Sequence, residues 1–359
     1  MADYPFLDPR FFAALERRGS TAASNGWTPC HQTIAGDQRD IAFMPLYAKT
    51  HSMGEYVFDW SWADAYRRSG LPYYPKLLTA IPFTPATGPR VRLAADAGDP
   101  AAICRQLVDN TLAHAKTINA SSWHLLFPDD QHLAWFADPR LLHRKGAQYH
   151  WFNREYEHFD DFLNQLTSRK RKMIRKERQQ VAEQGFVVER LVGDQISPEH
   201  WRRFASFYQR TYLKRSGSTG YLTPSFFELI GELMGEQCLM VTASTAGGIV
   251  AAAFYLFDDR TLYGRYWGCQ KEYDFLHFEL CYYQGIEFAI AQGLTKFDAG
   301  AQGEHKIVRG FEPVITHSLH WIAQPEFRQA IARFLQQEEP YIQQHLEQAK
   351  EMLPFKTAG

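Results

Sequence analysis

The 359-residue chain has no apolar run near the roughly 20 residues that a membrane-spanning helix needs. Its first twenty residues carry Asp3, Asp8 and Glu16 where a secretory leader would be apolar, so a cytoplasmic protein is expected. It also lacks an excess of either charge. Thirty-nine Lys and Arg stand against 40 Asp and Glu, a formal net charge of −1. That balance excludes binding to nucleic acid through bulk charge and leaves only a local basic patch. Cysteines are few and odd in number, Cys30, Cys104, Cys238, Cys269 and Cys281, and none forms a C-x-x-C pair. Reduced, mostly buried thiols are expected rather than a disulfide framework. Fourteen histidines are present, yet no H-E-x-x-H and no Cys/His cluster at ligand spacing, so no metal is expected.

What is abundant is apolar and aromatic side chains, at 45% and 15%. At this length they suggest two domains, divided here as 1–155 and 156–359. In the first, helices are expected near 8–18, 73–80 and 100–118, and strands near 27–35, 41–48, 55–62, 89–93, 122–127 and 148–153. In the second, helices are expected near 160–184, 198–215, 224–234 and 276–292. Strands are expected near 186–191, 238–244, 249–257, 261–268 and 295–299. A closing helix pair over 325–354 is expected to break at Pro340. The halves show a weak internal repeat in which Trp60 falls opposite Trp267 and Tyr73-Tyr74 opposite Tyr282-Tyr283.

The richest stretch is 261–310, read as strand, loop, helix, short strand and a glycine-bracketed polar loop, Gly300-Ala301-Gln302-Gly303-Glu304-His305-Lys306. Ionisable groups in a loop at the end of a strand are where α/β proteins keep their chemistry. Arg265 lies mid-strand among aromatics, and Asp59 occupies a similar setting in the first half; each needs a partner or a watery cleft. Trp60 and Tyr263 belong either to an aromatic platform or to the core. In 168–178, seven of eleven residues are basic, and Arg171, Arg175 and Arg178 share one helical ridge. The ridge is either a phosphate-binding face or a solvated one.

At GEYVFDWSWADAY, SRKRKMIRKER and FDAGAQGEHKIVRGFEP the chain resembles the FemAB-like N-acyltransferases of the GNAT superfamily, a bacterial group. The resemblance covers about 26–321. It implies an α/β fold of two tandem GNAT-like domains, each a mixed, mainly antiparallel sheet flanked by helices. It also implies transfer of an acyl or aminoacyl group from an activated ester to an amine, with a peptidoglycan precursor as one acceptor. The GNAT phosphate loop R/Q-x-x-G-x-G/A is not matched: Cys269 to Asp274 contain no glycine, which leaves acyl-coenzyme A and aminoacyl-tRNA both open as donor. A non-catalytic module that binds a wall precursor or RNA is the reading from another class. On the resemblance, Arg265, Glu304, His305 and Lys306 should converge on one cleft where two strands splay, with Asp59 in the matching place of the first domain. Arg265 would hold an anionic group, Glu304 or His305 would accept a proton, and Lys306 or Arg309 would offset negative charge.

Overall fold

A computed structural model of the chain describes residues 3–301 and 303–356. In chain order, the strands begin with β1 (Trp27–Pro29), β2 (Gln32–Ala35), β3 (Asp40–Met44), β4 (Tyr47–Lys49), β5 (Lys76–Thr79), β6 (Arg92–Leu93) and β7 (Ser122–Leu126). They continue with β8 (Leu142–Phe152), β9 (Val187–Val192), β10 (Cys238–Thr245), β11 (Gly248–Phe257), β12 (Thr261–Cys269), β13 (Lys296–Asp298) and β14 (Glu312–Ile322). The helices begin with α1 (Pro9–Arg17), α2 (Trp60–Arg68), α3 (Pro100–Thr117), α4 (Asp130–Trp135), α5 (Phe159–Gln165) and α6 (Ser168–Glu183). After them come α7 (Pro198–Ser216), α8 (Pro224–Met234), α9 (Leu276–Phe278), α10 (Gln284–Ala291) and α11 (Pro325–Glu351). A π turn over Glu279–Tyr283 makes α9 and α10 one continuous helix.

These elements form two compact units that interleave in sequence. The amino-terminal unit contains Thr21–Ala147 and Ile315–Leu346; the carboxyl-terminal unit contains Met1–Ser20, Gln148–Val314 and Glu347–Gly359. The expected cut at 155 therefore becomes an exchange of segments. Pairings between distant segments cause it. β14 runs antiparallel to β7, with Trp321 opposite Trp123, and Arg10 of α1 donates a 2.8 Å hydrogen bond to the Leu233 carbonyl of α8.

The carboxyl-terminal unit has strand order β9-β10-β11-β12-β13-β8, parallel only at β12–β13. The amino-terminal unit has the order β1-β4-β5-β7-β14, parallel only at β5–β7, beside a small β2-β3-β6 sheet. A parallel pair needs a crossover, and a helix supplies it in each unit: α3 between β5 and β7, and α9–α10 between β12 and β13. Each unit thus carries a mixed, mainly antiparallel run of strands with flanking helices. Its internal register differs from the sequence expectation. The β5–α3–β7 segment matches β12–α10–β13, whereas Trp60 opens a helix and Trp267 lies on a strand.

Three further expectations are corrected. The alternating stretch 55–62 is a loop leading into α2. Tyr56 takes φ +65°, and Glu55 and Asp59 turn inward to the buried Lys76 ammonium, leaving Phe58 and Trp60 52% and 49% exposed. The 73–80 segment is the buried strand β5 rather than a helix, a short apolar run that follows Pro75. The last helix runs unbroken through Pro340. In the carboxyl-terminal unit Leu239, Val241, Ala251, Leu262 and Phe297 pack with Leu280, Ile286 and Ile290 in one core.

Candidate functional site

β12 carries a bulge. Phe254 pairs with Tyr266 but Tyr255 pairs with Gly264, so Arg265 is the extra residue. The bulge cancels the strict alternation expected for this strand. Tyr266 stays on the α7–α8 side with Tyr263, its ring 5.5 Å from Tyr208, while Trp267 turns to the α9 side, 5.4 Å from His277. The parallel pairing to β13 covers only Thr261–Tyr263 against Lys296–Asp298. From Gly264 to Cys269, β12 has no partner strand on that side among the described residues. The two strands part there, as the resemblance implied.

Charge gathers at the parting. The Arg265 side chain is 2% exposed and that of Asp298 1%, with Nη2 to Oδ2 at 3.2 Å. Arg265 Nε and Nη2 and Asp298 Oδ2 have no hydrogen-bond partner among the described residues. His150 Nε2 lies 3.8 Å from Asp298 Oδ2. Burial opposes the Asp298 charge, but Arg265, His150 and the Gly300 N–H outweigh it and hold the carboxyl below its usual range. Burial drives His150 down to about 4, so it is neutral at pH 7. Lys306 is 1% exposed and donates to the Gly300 carbonyl at 2.7 Å. Burial first, then the Arg265 charge, lowers its ammonium to about 8 against the pull of Asp298.

Lys306 belongs to a 3-10 turn, Glu304–Arg309, which Gly300 and Gly303 permit by adopting φ +86° and +116°. Arg309 anchors the turn. Its Nε donates to Tyr283 Oη at 2.9 Å, Nη1 to the His305 carbonyl at 2.8 Å and Nη2 to Glu177 Oε1 at 2.7 Å, with the Phe278 ring centroid 3.5 Å away. The π turn lets two consecutive tyrosines reach this segment: Tyr283 meets Arg309, and Tyr282 Oη lies 2.8 Å from His305 Nε2. Glu304 is exposed, and Gln302 lies outside the described residues.

Beside the parting runs a groove of about 380 Å³, walled by the end of α7, the end of β12, the 270–275 loop and His277. Arg210, Lys214, Arg215 and Lys271 line it against Glu272 and Asp274. A second cavity of about 730 Å³ adjoins it through Arg210, Gln270, Lys271 and Tyr273. These cations are what sequence reading missed; Arg210, Lys214 and Arg215 recur at one end of α7, a signal outshone by the denser run in α6.

The remaining expected residues lie elsewhere. Tyr263 is core, its hydroxyl donating to Asp258 at 3.0 Å. Asp59 is in the amino-terminal unit, where it accepts from Tyr73 at 2.6 Å and from Lys76; burial opposes its charge, but Lys76 and His124 hold it at about 2. Trp60 is on the surface of that unit. On α6, Arg175 pairs with Asp160 at 2.9 Å, and Arg178 with Glu279 at 3.0 Å and Glu287 at 2.5 Å. Two of the three ridge arginines are thus occupied by carboxylates, and Arg171 is half-buried.

Each unit thus holds mixed, mainly antiparallel strands with one helix-bridged parallel pair, as the resemblance implied. The chain belongs to the FemAB-like family, described as peptidoglycan biosynthesis/recognition, whose model matches residues 1–357. It is similar in fold to FemX, with 12% identity, TM-score 0.51, 92% of this chain and 95% of that one covered. It is similar to L-PGS from Bacillus licheniformis, with 13% identity, TM-score 0.52 and coverage of 91% and 97%. A third likeness is to the carboxyl-terminal domain of a candidate lysylphosphatidylglycerol synthetase from Agrobacterium fabrum, with 12% identity, TM-score 0.51 and coverage of 93% and 92%. No curated protein matches the sequence. No helix among the described residues is long and apolar enough to cross a membrane.

Proposed function

We propose that the carboxyl-terminal unit transfers an aminoacyl or acyl group from an activated, phosphate-bearing ester to an amine, with a peptidoglycan precursor as the acceptor class. The observation that carries this reading is the parting of β12 and β13 beside a cationic groove. The unpaired edge of β12 offers backbone N–H groups to an ester carbonyl, and the buried Lys306 ammonium adds positive charge where an oxyanion or leaving oxygen develops. The Arg265–Asp298 ion pair brings to the same opening donors and an acceptor that have no hydrogen-bond partner among the described residues, suited to a polar acyl group such as an aminoacyl. Arg210, Lys214, Arg215 and Lys271 receive the donor's phosphates. His305 and Glu304 stand on the turn beside the opening.

The donor is an aminoacyl-tRNA in preference to acyl-coenzyme A, because the 270–275 loop has no glycine with which to wrap a pyrophosphate in backbone N–H groups. A thermal-shift panel of aminoacyl-tRNA, acyl-coenzyme A and a UDP-linked wall precursor tests this, since a ligand at 100 times its Kd stabilises by ~2.7 kcal/mol. Stabilisation by aminoacyl-tRNA together with amide formation on the precursor is expected. Stabilisation by acyl-coenzyme A alone would move the donor to that class, and binding without amide formation would make the chain a recognition module.

A further inference from the structure

We infer that His277 is the proton acceptor of the groove, taking a proton from the attacking amine and returning it to the departing oxygen. The inference rests on the acyl-transfer reading and adds to it a residue that is neither in the 304–309 turn nor in the charged cluster. His277 follows directly on Leu276, the first residue of α9, and lines the groove. Its ring lies edge-on to Trp267 at 5.4 Å, to Tyr282 at 5.4 Å and to His305 at 6.2 Å.

The other imidazoles of this region are engaged. His305 Nε2 lies 2.8 Å from the Tyr282 hydroxyl, and His150 Nε2 lies 3.2 Å from Gln148 Oε1. Neither ring nitrogen of His277 has a hydrogen-bond partner among the described residues, and the residue lines the groove. A half-buried imidazole with no hydrogen-bond partner among the described residues, lining a cationic groove, is available to a ligand.

The step balances on this one group. The amine nitrogen attacks the acyl carbonyl carbon, and a C–N bond forms. The ester C–O bond breaks, with its electron pair going to oxygen. His277 removes one N–H proton and the imidazolium gives it to that oxygen, so that ester and amine become amide and alcohol with the imidazole regenerated. The groups facing His277 set its basicity. Burial, then His305, Arg215, Arg309 and Lys306, lower it to about 3, while Arg210, Lys214 and Lys271 line the same space against Glu272 and Asp274. A phosphate-bearing donor offsets these cations and raises the imidazole toward a useful range as it binds.

Diethyl pyrocarbonate labels neutral, accessible imidazoles, so its rate at each histidine of the wild-type protein, resolved by mass spectrometry at pH 5 and 7.5, tests the assignment without a known substrate. His277 should label at nearly the same rate at both pH values, while an ordinary imidazole slows about 30-fold at pH 5. Inorganic pyrophosphate should slow labelling of His277 at least about tenfold. Failure of His277 to label overturns the inference. Labelling as expected without protection by pyrophosphate supports the acceptor and overturns the phosphate-bearing donor. In a second arm, His277→Ala that is folded by its urea transition should lose about 10²- to 10⁴-fold in amide formation and regain it with added imidazole. A merely structural role predicts no rescue, and that result overturns the assignment.

Discussion

Arg309 shows how single residues hold the site. All three of its nitrogens are satisfied, and one of its partners, Glu177, is itself buried and also bonded by the Tyr283 hydroxyl. Removing the cation strands a buried carboxylate, so Arg309→Ala should cost about 3 to 5 kcal/mol in urea unfolding. An added Glu177→Gln should recover part of that loss, and a loss under 1 kcal/mol would mean the network does not anchor the turn. Lys306 makes a prediction in pH. Its folded pKa near 8 lies below the roughly 10.4 of an unfolded lysine, so between those values the unfolded chain holds more protons and stability rises with pH. Unfolding free energy should climb by up to about 3 kcal/mol over that window in wild type and stay flatter in Lys306→Met.

At the scale of elements, the groove depends on how closely α7 approaches β12. A methyl group at Gly268 would sit 2.5 Å from the Phe207 carbonyl oxygen, so Gly268→Ala should push α7 away and cost about 1 to 3 kcal/mol. An unchanged urea midpoint would show that the helix can yield freely. The strands and helices of the carboxyl-terminal unit were legible because they are long and periodic: α8 was expected over 224–234 and found at Pro224–Met234. The bulge at Arg265 was not, since one inserted residue leaves no mark on composition. Nor was the loop at 55–59. Its aromatic alternation reads as a strand, but the decisive partner, Lys76, lies 17 residues beyond Asp59, and pairing two carboxylates with a buried ammonium outweighs strand propensity. The same reasoning explains α6, whose charge was visible while its carboxylate partners Asp160, Glu279 and Glu287 were not.

For the whole molecule, the interleaving of the two units follows from pairings such as β7–β14 that join segments about 200 residues apart, which local pattern cannot reveal. Both units bury neutral histidines: burial and Lys76 lower His124 to about 3, and burial lowers His150 to about 4. Unfolded imidazoles protonate near 6.5, so acidification below that value loads protons on the unfolded chain only. Each should cost about 2 kcal/mol by pH 5, seen as a falling urea midpoint; a flat profile from pH 6.5 to 5 would contradict their burial as neutral groups.

The central claim, that the groove at the ends of α7 and β12 receives a phosphate-bearing donor, is tested most directly by tRNA affinity as a function of salt. Three proteins are compared: wild type, Arg210→Glu with Arg215→Glu in the groove, and Arg171→Glu with Arg175→Glu on α6. The account predicts that the groove pair weakens binding at least about tenfold and reduces the slope of log K against log salt by about 1 to 2, while the α6 pair leaves both nearly unchanged. Loss of affinity and slope in the α6 pair alone, with the groove pair behaving as wild type, would contradict it.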